Sequence, residues 1–162
     1  MTTTTVPTVA ENELYQDVVV EHKDDLDLPI TIRVTADVPE LVRRGERTSV
    51  LKPVFPIKLV QLASLPARET PLLLPTSSHA EVLFKVVFPE TWRMPSSLPP
   101  GEVKDGERWV TVKDRVEGHT ITLDRKVEVP AGRVAPGGDY AALLKFTRDG
   151  DALLEREVAV GR

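Results

Sequence analysis

The sequence predicts an all-β fold, an antiparallel β-sandwich with one short helix near its C-terminus. Two observations carry the β assignment. Apolar and polar residues alternate at period 2 in separate runs, most regularly over residues 30–38, 80–88 and 121–129. The chain also holds 14 prolines in 162 residues, and they bound nearly every apolar run. Proline lacks a backbone donor and breaks helices, so this pattern suits short strands between turns. A third observation limits the helical content: only the stretch after Pro136-Gly137-Gly138 carries helical spacing.

Taken in order, residues 1–13 are polar and Thr-rich. They lack the basic start and apolar core of a signal peptide and read as a flexible leader. Residues 14–162 read as a single sandwich domain, a length sufficient for one core. Alternation places a first strand at residues 14–21 and an acidic turn at 22–27. A second strand follows Pro29, with Ile30, Ile32, Val34, Ala36 and Val38 on one face. Arg43-Arg44-Gly45-Glu46-Arg47 reads as an exposed turn. Residues 50–62 are apolar but broken by Pro53 and Pro56, so they read as an edge strand or extended crossover with a short regular piece at 58–63.

Residues 65–88 form the stretch around which the chain is expected to be organised. An arginine segment leads to an apolar patch, a turn, and a strand central to the fold with Ala80, Val82, Phe84, Val86 and Phe88 on one face. Arg68 is expected to bond backbone carbonyls at the turn before Pro71. Residues 90–100 read as a loop returning Trp92 to the core. Asp105-Gly106 signals a tight hairpin, because glycine accepts positive φ. A strand at 108–116, a reversal at Glu117-Gly118 and a strand over 120–129 should complete an antiparallel meander. In that last strand Ile121, Leu123, Val127 and Val129 point inward. Asp139 is expected to cap a helix of about three turns carrying Tyr140, Leu143, Leu144 and Phe146, with Gly150 as its stop. A strand at 153–160 closes the chain.

Composition excludes several function classes. A net charge of −4 with no basic stripe gives no footprint for nucleic acid. No run approaches the roughly 18 apolar residues of a membrane span. The absence of cysteine removes disulfides, thiolate metal sites and a cysteine nucleophile. His22, His79 and His119 share no metal-ligand spacing and read as solvated turn residues. Glu21, Asp24, Asp25 and Asp27 are the densest carboxylates. Such a turn can offer oxygen ligands to a cation, which makes Asp24, Asp25 and Asp27 the candidate metal residues, but the spacing and glycine of a calcium loop are absent. Arg43, Arg44 and Arg47 could grip an anion and otherwise form a solvated loop. No serine sits in a nucleophile elbow. Trp92 and Trp109 are expected as core anchors rather than a binding face. These readings leave no catalytic residue and no cofactor.

Several short signals together resemble a known arrangement. Leu26-Asp27-Leu28-Pro29-Ile30 leads a strand, and Arg68-Glu69-Thr70-Pro71-Leu72 follows an apolar crossover. The strand to Phe88-Pro89 runs into Trp92-Arg93 and Leu98-Pro99, and Asp139-Tyr140 opens a late helix. Over residues 17–160 this resembles the β-rich C-terminal region that follows the transglutaminase-like domain in a family of bacterial multidomain proteins. The resemblance implies an immunoglobulin-like or related sandwich in a periplasmic or extracellular protein. It implies an accessory role beside a cysteine-dependent catalytic domain, and it carries no catalytic residue onto this chain. The expected function is therefore a non-catalytic structural or interaction module whose partner is the neighbouring transglutaminase-like domain or another protein. The alternative is a carbohydrate- or cation-binding sandwich module using Asp24, Asp25, Asp27 or an exposed tryptophan.

Overall fold

The computed structural model describes residues 15–22, 27, 31–36, 41–43, 45–53 and 55–161. The leader, Asp24, Asp25 and Arg44 lie outside the described residues. Among the described residues the fold is mainly β, with antiparallel sheets and one α-helix near the C-terminus, as the sequence predicts.

Strands β1 (Tyr15–Glu21) and β2 (Thr31–Ala36) pair in a two-stranded sheet. Strands β3 (Val42–Arg43) and β4 (Thr48–Leu51) precede a short 3-10 helix, Leu59–Leu62. Strand β5 (Leu72–Leu74) is followed by β6 (Ser78–Val87), β7 (Gly101–Asp105), β8 (Arg108–Val112), β9 (Arg115–Glu117) and β10 (Thr120–Val129). The chain ends with β11 (Gly132–Val134), helix α1 (Gly138–Leu154) and β12 (Val158–Gly161).

The largest sheet has the order β6-β10-β8-β7, with β9 continuing β8 alongside β10. Its two tight turns each begin with a glycine at positive φ, Gly106 at 58° and Gly118 at 59°. That backbone twist matches the strands that the turns join. Period 2 sorts the side chains of β10 cleanly. Ile121, Leu123, Val127 and Val129 are at most 1% exposed on the inner face. Two bodies cover that face. Over one half lies α1 with the 3-10 helix: Tyr140, Leu143, Phe146 and Leu59 pack with Val110, Val127 and Val129. Over the other half lies the sheet of order β12-β4-β3, where Leu51, Val158 and Val160 pack with Ile121, Leu123 and Phe88. Trp92 joins this second cluster and stacks tilted on Phe88, centroids 5.4 Å apart, which returns the 90–100 loop to the core as expected.

Four expectations need correction. Strand β6 is an edge of its sheet, and the central strand is β10, because β6 pairs with β10 alone among the described residues. Strand β4 is not an edge or crossover; it ends before Pro53 and sits between β3 and β12. The apolar patch at 72–74 is itself a strand, paired with β11. The helix runs from Gly138 to Leu154 with Gly137 at its N-cap, so Asp139 lies in the first turn, Gly150 lies inside, and Leu153 and Leu154 belong to the helix.

Candidate functional site

Among the described residues, the densest constellation of buried charge is one that period-2 reading of the sequence does not single out. Arg125 occupies the inner face of β10 between Leu123 of one core cluster and Val127 of the other, and it is 1% exposed. Its partner is Asp114, at the break between β8 and β9. The register runs on through that break, with Val112 opposite Arg125 and Arg115 opposite Thr122. The Lys113 N–H still donates to the Asp124 carbonyl at 2.8 Å. Alternation therefore turns Asp114 to the same inner face as Arg125.

The geometry is a two-pronged clamp. Arg125 Nη2 lies 2.8 Å from Asp114 Oδ2, and Nε lies 3.3 Å from Oδ1. Nη1 donates to the Leu154 carbonyl, and Nη2 also donates to that of Arg156 at 3.0 Å. These four bonds use all but one of the guanidinium N–H groups. Asp114 Oδ2, the oxygen that Arg125 Nη2 holds, also meets Arg156 Nη2 at 3.4 Å, and Arg156 donates to the Pro99 carbonyl at 2.6 Å. Leu154 is the last residue of α1, and Arg156 lies in the link to β12. The clamp thus ties the end of the helix and the start of the last strand to the middle of the large sheet. A charge pair so enclosed and so fully bonded holds elements in place.

Among the described residues, those suggested by sequence do not converge. Asp27 is exposed, and Asp24 and Asp25 lie outside the described residues. His22 is exposed at the end of β1, with φ 61°. His79 Nδ1 meets Glu128 Oε2 at 2.6 Å on the outer face of the large sheet. His119 lies in the β9–β10 turn, at the other end of the β6–β10 pair, and its Nδ1 is buried without a partner. Among the described residues no group of three or more His, Cys, Asp or Glu is placed to hold a metal ion. Arg43 faces Glu157 at 3.7 Å, and Arg47 is exposed. Trp109 lies half-buried on the outer face, opposite Glu128 and Lys104, and so is not the core anchor expected.

Arg68 does what its position suggested. Its Nε donates to the Thr70 carbonyl at 3.3 Å, just before Pro71, and its guanidinium sits 6.0 Å from the centre of the Tyr140 ring. Tyr140 in turn donates to the Leu65 carbonyl at 2.6 Å, fastening this segment to α1. A recess of about 300 Å³ opens between the β7–β8 turn and residues 130–133. The Asp105–Arg108 pair within it, 2.5 Å apart, closes the two ends of its own hairpin.

No family model and no curated protein matches the chain. A solved structure does: a "putative protease" of Parabacteroides distasonis, with a TM-score of 0.59 and 16% identity over 72% of this chain. The matched region is 24% of that protein, so the chain spans about a quarter of its length. At this identity the likeness is one of fold.

Proposed function

We propose that this chain is a non-catalytic accessory module of a larger, exported bacterial protein of the transglutaminase-like kind. It acts as an immunoglobulin-like sandwich that docks on a catalytic neighbour or presents it to a partner. The observation that carries this reading is the Arg125–Asp114 clamp. The most deeply buried charges among the described residues are spent on each other and on backbone carbonyls, which suits a scaffold. The fold likeness to one quarter of a much longer protein supports a modular role. So does the run of short signals over residues 17–160 that resembles the region after a transglutaminase-like domain. The test is calorimetric titration of the transglutaminase-like segment of the same gene product into this domain. A heat of association, or a higher melting temperature for the joined domains, is expected. Absence of both in separate and joined forms overturns the reading.

A further inference from the structure

The edge strand β6 presents an unusual surface. Phe88 N–H donates to the His119 carbonyl at 2.8 Å, and the β6–β10 register runs without a shift from Ser78 to Val87. Along a strand, backbone groups alternate in direction, so the even-numbered residues of β6 address β10. The N–H and C=O groups of His79, Glu81, Leu83, Lys85 and Val87 therefore point to the open edge. The burial pattern agrees that this flank is uncovered among the described residues. On β10, Ile121, Leu123 and Val127 are fully buried, whereas Ala80, Val82, Phe84 and Val86 opposite or beside them on β6 are only half-buried. On the outer face Leu83 is 61% and Val87 71% exposed. A long edge strand with apolar side chains and open backbone groups is a template for another strand.

The sequence of β6 selects the occupant. We infer that β6 pairs antiparallel with β6 of a second copy of this chain, about a two-fold axis at Leu83. That register sets Leu83 against Leu83 and places Glu81 opposite Lys85 twice, once on each side of the axis. It sets His79 against Val87 on the outer face, and Val82 against Phe84 and Ala80 against Val86 on the inner face. Neighbouring registers lose the charge match. An axis at Glu81 opposes two glutamates, an axis at Lys85 opposes two lysines, and an axis at Val82 or Phe84 sets each of these charges against an uncharged or like partner. Lys85 is exposed and makes no ion pair among the described residues. Glu81 already holds Lys126 at 2.6 Å, so the joined sheet would carry Lys126, Glu81 and the second copy's Lys85 as an alternating row. Opposite charges directly across an antiparallel pair stabilise it, and like charges destabilise it. The product is one continuous sheet running β7-β8-β10-β6 in one copy and the reverse in the other. This dimer is independent of the accessory role proposed above.

An interface of one strand from each copy belongs to the small class that buries below about 1,200 Å², so the dimer is expected to be weak and concentration-dependent. Sedimentation equilibrium of the whole chain should show the mass rising with concentration from 17.9 kDa towards twice that value. Lys85→Glu places two glutamates opposite each other and should weaken association by about tenfold or more. Glu81→Lys should do the same with lysines. An equimolar mixture of the two variants restores opposite charges at every position and should associate more tightly than either alone. Leu83→Pro removes a donor that faces the open edge, where proline is tolerated, and should give a folded monomer by circular dichroism. Should that variant fail to fold, the charge-swapped mixture still decides. A chain that stays monomeric at all concentrations overturns the inference. So does a dimer indifferent to both charge reversals, or protection of the β6 edge amides from exchange only when a different protein is added.

Discussion

Arg125 and Asp114 face each other from inward positions of two neighbouring strands, each otherwise lined by valine, leucine or isoleucine. That was the legible signal: two clean period-2 runs, each broken by one charge, of opposite sign, on the apolar face. Reading the inward set of residues 120–129 as Ile121, Leu123, Val127 and Val129 passed over the Arg125 between them. The clamp makes an asymmetric prediction. Asp114→Ala strands a buried guanidinium and should cost about 3–5 kcal/mol in urea unfolding. Arg125→Met fills the space without a charge and leaves Asp114 with Arg156, so it should cost less. Equal losses would show that the pair is not what binds the helix end. On the outer face, the pKa of Lys126 is raised above 10.5, first by its hydrogen bond to Glu81 and then by the charges of Glu81 and Asp124, against some desolvation. Its stabilising effect is therefore complete below 10.5 and disappears as pH rises through the higher folded value. Glu81→Gln should bring the titration of Lys126, followed by NMR of its side chain, back down towards 10.5. An unmoved titration would assign the shift to Asp124 alone.

The elements were most legible where a local signal and a tertiary one agree. The Asp105-Gly106 turn, the Glu117-Gly118 reversal and β10 needed only neighbours in sequence. The end of α1 did not. Gly150 has the look of a helix stop, yet it and Asp151 lie inside the helix, where the 3-10 helix docks. A Cβ on Gly150 would come within 2.7 Å of Leu59 Cδ1 and 3.1 Å of Val110 Cγ2, so the glycine lets the two helices approach. Asp151 then accepts the Leu59 N–H at 2.8 Å on Oδ1 and the Val60 N–H at 2.9 Å on Oδ2, capping the 3-10 helix from another element. Sequence alone cannot reveal a cap whose two ends are some ninety residues apart. Asp151→Ala should cost about 1–2 kcal/mol, as loss of a helix cap does. Gly150→Ala gains up to about 1 kcal/mol of helix propensity but meets the fully buried Leu59, and overpacking of about 1–3 kcal/mol should win. A more stable Gly150→Ala variant in chemical denaturation would show that the contact gives way freely.

For the molecule as a whole, fold class was legible from periodicity, whereas strand order was not. Period 2 says that a segment has two faces, but not which distant segment lies beside it. Periodicity alone therefore points to β6 as the centre, and the prolines of the 50–62 stretch mask the strand at residues 48–51 before them. The pairing that completes the second core cluster joins β4 to β12, residues 48–51 to 158–161. Strand β12 does three things there. It buries Val158 and Val160 against Leu51, Ile121 and Leu123, and it gives β4 its second neighbour. Through Gly161 it also exchanges two backbone hydrogen bonds with Arg93, at 2.8 and 3.2 Å, which hold the loop carrying Trp92. Removing residues 158–162 should therefore open this half of the inner face while leaving the Arg125 bonds to Leu154 and Arg156 in place. Two fully buried valines at about 1.5–3 kcal/mol each set the loss near 3–6 kcal/mol in urea unfolding. The near-UV signal of Trp92 should fade with it, while the helical signal of α1, packed in the other cluster, persists. A shortened chain with an unchanged urea midpoint would mean that the second cluster closes without its last strand. Loss of helix and tryptophan signals together would mean that the two clusters fold as one unit through Arg125.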